Sequence, residues 1–121
     1  MAGFLTPDID GRRVLMDLAT SVILPFQAAD DAEDVQKVGR FSFFRSAFDY
    51  GNTLIIDSLD VDHPYFIIDE FGKLELNDLG FAQGIDRLMA DIRTLQSTTI
   101  YIIVIRESLV IRFLERYGLG R

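Results

Sequence analysis

The stretch YFIIDEFGKLEL, Tyr65 to Leu76, is the part of the chain from which the rest can be read. Four apolar residues, Tyr65, Phe66, Ile67 and Ile68, run directly into two acids, Asp69 and Glu70. A strand apolar on both faces suits the centre of a parallel sheet, which is covered on both sides. In open α/β sheets, ligands sit beyond the carboxyl ends of such strands. An acid there can hold magnesium, usually through water, and a second acid can orient or deprotonate an attacking water. The ordinary alternative is a strand end whose acids cap the next turn.

Downstream of this strand, Asn77 or Asp78 can cap a helix from Gly80 to about Gln96, with Phe81, Ile85, Leu88, Met89, Ile92 and Leu95 along one face. Thr99 to Ile105 reads as a second fully buried strand. A last helix is expected from about Ser108 to Tyr117, stopped by Gly118. Upstream, Phe44, Phe48, Ile55 and Leu59 share a helical face, although Gly51 and Asn52 are poor helix formers. Strand, helix, strand and helix in succession imply a parallel core.

The first third reads as β. Asp10-Gly11 is a two-residue hairpin signal, joining a strand around Gly3 to Ile9 to one around Arg12 to Leu18. Val22 to Phe26 would be a short or edge strand because of Pro25. Gln27 to Gln36 is acidic and reads as a solvated loop or a short exposed helix. Arg40 to Phe43 could form another short strand. The fold class expected is α/β: one domain, with a β-rich hairpin region over 1–43 and a partly parallel core over 44–121.

Composition narrows the function. The chain has 121 residues, of which 49% are hydrophobic, enough for a real core. Its formal net charge is −7, and Lys37 and Lys73 are its only lysines. Sequence-independent binding to nucleic acid or to an anionic membrane is therefore disfavoured. There is no cysteine, which excludes disulfides and thiolate metal sites. The longest apolar run, Ile100 to Ile105, is too short to span a bilayer, and the first residues lack a signal-peptide pattern, so a cytoplasmic protein is expected.

IIDEFGKLEL resembles the acid-bearing Walker B segment of a family of small P-loop nucleoside triphosphatases. This is the thermophile nucleoside-triphosphatase group, with the animal cancer-related nucleoside triphosphatase as a relative. That pattern is a strand, Asp-Glu, a hydrophobic residue, Gly-Lys or Gly-Pro, then a hydrophobic residue and Glu; here it reads Asp69-Glu70-Phe71-Gly72-Lys73-Leu74-Glu75. GFLTPDIDGRRVLMDL, Gly3 to Leu18, is similar to the hairpin that follows the first helix in that family, and the closing helix, strand and helix match its order. The resemblance implies ATP or GTP as ligand, Asp69 on the magnesium side and Glu70 as catalytic base.

The departure from the family is large. None of the nine glycines stands in a G-x-x-x-x-G-K-[ST] loop, the backbone cradle that holds phosphates. Without it the acids repel a nucleotide unless a metal intervenes, so the chain alone should hydrolyse nucleotides slowly or not at all. In the resembled family the two strands lacking here lie beyond the one matching Thr99 to Ile105. That strand would then be a raw, uncharged edge, which templates pairing with another chain. The expected partner is a second copy, as a homodimer, or a separate P-loop chain.

Smaller features carry two readings each. Arg106 and Lys73 stand on the nucleotide or phosphate side of the acids. Arg106 could contact a phosphate or pair with Glu70 or Glu107, and the local charge balance favours the ion pair. Lys73 and Glu75 could equally be loop-surface charges. His63, the only histidine, reads as a solvated loop residue. Phe41, Phe43, Phe44 and Phe48 read as core rather than a stacking surface. No Ser has a neighbouring His for a nucleophilic triad.

Overall fold

The computed structural model describes residues 1–94 and 96–119. Among the described residues nine strands and four α-helices follow in the order β1 (Ala2–Leu5), β2 (Asp8–Ile9), β3 (Arg12–Asp17), β4 (Ile23–Pro25), β5 (Gln27–Ala28), β6 (Val35–Val38), β7 (Phe41–Phe44), α1 (Arg45–Ser58), β8 (Tyr65–Phe71), α2 (Lys73–Leu76), α3 (Ala82–Asp91), β9 (Ile100–Ile105) and α4 (Val110–Arg116). The class is α/β with a mixed sheet. Its order is β2-β3-β1-β8-β9, with β4 also on β3, and β5-β7-β6 form a second, antiparallel sheet.

The hairpin forms where Asp10-Gly11 places it: both residues take positive φ, 52° and 83°. Its first arm is broken at Thr6-Pro7 into β1 and β2, which pair with successive parts of β3. β1 also pairs in parallel with β8, matching Gly3 to Ile67. The parallel core thus reaches into the first residues of the chain and is not confined to 44–121. The Gln27–Gln36 segment is no exposed helix. It contributes β5 and the start of β6, and Gln36 is buried.

The poor helix formers of α1 are explained by packing. A side chain at Gly51 would run into the Phe81 ring. The Asn52 amide donates to the Gly80 carbonyl at 3.1 Å, and its oxygen accepts the Gly84 amide at 2.9 Å, tying α1 to α3. Helix α3 is shorter than expected. It starts after Phe81 rather than at an Asn77 or Asp78 cap, Ile92 is exposed, and Leu95 lies outside the described residues. The last helix begins as a 3₁₀ turn, Glu107–Leu109, and Leu119 donates back to the Leu114 carbonyl around Gly118. Arg116 anchors α4 through Asp78 (2.6 Å) and Asp86 (3.1 Å).

Strand β9 stands at the edge of the sheet, as expected, with β8 as its one neighbour among the described strands, but it is not fully buried. Tyr101, Ile103 and Ile105 pack against the core, but Ile100, Ile102 and Val104 are 53%, 41% and 40% exposed. No helix among the described residues is long and apolar enough to cross a membrane.

Candidate functional site

Strand β8 runs through the acids instead of ending before them. Asp69 pairs with Val104 and Phe71 with Ile105, so Glu70 is the extra residue of a bulge. A bulge re-aims side chains at a strand end, and the two acids part company here. The Asp69 carboxylate accepts the Thr6 amide at 3.1 Å through Oδ2. That bond joins the two motifs that carry the family resemblance, 63 residues apart in sequence. Glu70 instead lines a cleft of about 530 Å³, which Asp69 does not reach.

The cleft lies between the carboxyl end of β8, the hairpin and the β5-β7-β6 sheet. Lys73 and Arg106 line it beside Glu70, so three of the four expected site residues converge. The ion pair favoured for Arg106 is not formed. Neither Arg106 nor Lys73 has a carboxylate of a described residue within 4.0 Å. Both side chains lie on exposed positions, where water solvates the charge and the gain from an ion pair is small. Arg13, from the hairpin, joins the rim, 3.8 Å from Asp8. Phe43, Phe26, Phe48 and Phe81 pack as core with ring centroids 4.8 to 6.4 Å apart, but Phe41 is 45% exposed on the cleft wall. Phe41 shares a strand face with Phe43, but it opens β7 opposite Val38 of β6, beyond the residues that pair with β5, and is left on the cleft wall rather than in the core.

Glu75 is not a surface charge either. It is 3% exposed. Its Oε1 accepts the Gly72 amide at 2.8 Å, and its Oε2 the Phe81 amide at 2.7 Å. Gly80, at φ 62°, passes so close to this carboxylate that a side chain there would strike it, and its amide donates to the Gln36 oxygen at 2.7 Å. Burial pushes the Glu75 carboxyl above the usual range; the amides of Phe81 and Gly72 pull it back in part. Glu75 therefore fixes the turn immediately after Glu70. The spacing Gly72-x-x-Glu75 is that of a capping box, the one sequence signal that could have found this role.

Magnesium is the cofactor the resemblance implies. It binds through one or two carboxylates, keeps several waters and takes the rest of its ligands from phosphates. Asp69 keeps one carboxylate oxygen outside its bond to Thr6. Among the described residues no group of three or more His, Cys, Asp or Glu could hold a metal. The residues fit magnesium only as an ion brought in on a nucleotide's phosphates. His63 lies apart from the acids, with its amide bonded to the Thr99 hydroxyl. No protein-family model, curated protein or solved structure matches this chain.

Proposed function

We propose that the chain is a nucleoside-triphosphatase-like domain that keeps the acid half of a nucleotide site and does not hydrolyse nucleotides by itself. The observation that carries this reading is the strand order β1-β8-β9, with the acid-bearing strand in the middle and β9 open at the edge. In the resembled family the phosphate-binding strand stands next to the strand that here is β9. A P-loop chain pairing along Ile100 to Ile105 would supply that neighbour. A second copy of this chain would close the edge without supplying phosphate contacts.

A second reading is a half-enzyme that hydrolyses ATP or GTP once a P-loop segment completes it. It is favoured by the Thr6–Asp69 bond and by the meeting of Glu70, Lys73 and Arg106 at one cleft. In it Asp69 would hold magnesium, which supplies charge neutralisation at the phosphates. Glu70 would orient the attacking water and take its proton, while Lys73 and Arg106 would meet phosphate oxygens.

Calorimetric titration with ATP and GTP in magnesium, against Asp69→Asn, tests both. We expect weak, magnesium-dependent binding that the variant loses, and no turnover by the chain alone. Turnover without a partner would overturn the first reading, and no binding at millimolar nucleotide would overturn both nucleotide readings. For the edge, Ile102 is the residue to charge, because Ile103 faces the core. A dimer that Ile102→Lys turns into a monomer in light scattering fits a homotypic edge pairing; monomers in both cases leave only a different partner chain.

A further inference from the structure

We propose that the cleft at the carboxyl end of β8 binds a small planar aromatic anion, a flat unsaturated ring carrying one carboxylate or phosphate, with no need for magnesium or a phosphate-binding loop. Its volume of about 530 Å³ falls within the size of small-molecule sites, roughly 300–1,000 Å³. Its walls are apolar where a ring would lie: Val38, Phe41, Phe43, Leu74 and Leu109. Phe41 is the decisive member. The other phenylalanines of the cleft spend their rings on one another, whereas Phe41 stays accessible, with the Arg40 guanidinium 5.2 Å from its ring centroid.

The charge at the mouth selects the ligand's other end. The chain holds 19 acidic and 12 basic side chains, yet Lys73 and Arg106 meet at this cleft without a carboxylate within 4.0 Å among the described residues. Arg13 is already beside Asp8, and the Glu75 carboxylate is occupied by the Gly72 and Phe81 amides. Glu75 also lines the cleft, but it is buried beneath those amides, so at the exposed mouth Lys73 and Arg106 stand beside Glu70, which offers one anionic group its cations and a ligand N–H or O–H an acceptor. Apolar walls beneath the cations concentrate their field. A triphosphate is matched poorly, since its further charges would face Glu70 with no backbone cradle. The inference shares Glu70, Lys73 and Arg106 with the second nucleotide reading and is told apart from it because it uses Phe41 and does not use Asp69.

The test is titration of the full chain with indoleacetate and with AMP, each in EDTA, followed by ligand-detected NMR and calorimetry. Both probes should bind. Phe41→Ala and Arg106→Gln should each weaken binding roughly tenfold, the size of a lost stacking or charge-assisted contact. Asp69→Asn and Ile102→Lys should leave it unchanged. Tighter binding of AMP assigns the anionic group as phosphate and tighter binding of indoleacetate as carboxylate; either supports the site. Failure of both probes at several millimolar overturns it. So does binding insensitive to Arg106→Gln, which decides the matter should Phe41→Ala fail to fold. Binding that needs magnesium or is lost in Asp69→Asn belongs to the nucleotide site and also overturns the proposal.

Discussion

The two faces of β8 and β9 are made of nearly the same residues and meet opposite fates. On one, Phe66 and Ile68 are buried, and Tyr101, Ile103 and Ile105 pack against the same core. On the other, Ile100, Ile102 and Val104 are exposed, as is Tyr65. Alternation places residues on one face or the other, but it does not say which face the helices cover. The acids follow the same division. Asp69 is in register with exposed Val104, while Glu70 and Glu75 turn to the cleft. A run apolar on both faces therefore records that both faces suit burial, not that both are buried within this chain.

The largest test of that contrast is Ile68→Ala. The side chain is fully buried, and its loss should lower stability by about 2–5 kcal/mol, read from the midpoint of urea unfolding. A loss under about 1 kcal/mol would mean that the covered face is not well packed.

Glu75 tests the polar side of the covered region. Its carboxyl is raised by burial in the folded chain, so the folded state holds its proton to higher pH than the unfolded state does. Its contribution is fully present below the unfolded value and is lost as pH rises through the folded value. Because Gln does not titrate, the stability of the native chain relative to Glu75→Gln should fall as pH rises through that window, in urea melts at a series of pH values. A difference that rises with pH would show that the amide bonds outweigh burial.

The smallest effect is expected on the open face. Ile102→Ala should change stability by about 0.5 kcal/mol or less at low protein concentration. A larger loss that grows with concentration would show that a partner covers this face in solution, which turns the contrast between the faces into a contrast between monomer and assembly.

Much of this was legible in the sequence, and the misses share one cause. The Asp10-Gly11 turn, α1 and the strand carrying Asp69 were readable because turn chemistry and periodicity act within a few residues. The meeting of Glu70, Lys73 and Arg106 followed from their places at the carboxyl ends of β8 and β9. The role of Glu75 stayed open because exposure of a charge is the default, and what buries it, the Phe81 amide and the close pass of Gly80 held by Gln36, lies outside its own helix. Phe41 was misread because a phenylalanine in a Phe-rich run normally packs inward, and only the register of β7 on β5 and β6 sets it on the cleft wall.

The sequence by itself determined which segments extend and which coil, where the hairpin turns, and that two acids stand at the end of an apolar strand. Those are consequences of local backbone preference and side-chain spacing. Only the tertiary structure decided that β1 lies in parallel beside β8, that one face of β9 is left uncovered, that Asp69 is claimed by Thr6, and that Glu70 is the acid facing the cleft. Each of these depends on pairing between segments far apart in the chain, where the free energy comes from shared burial and matched hydrogen bonds, which no single segment contains.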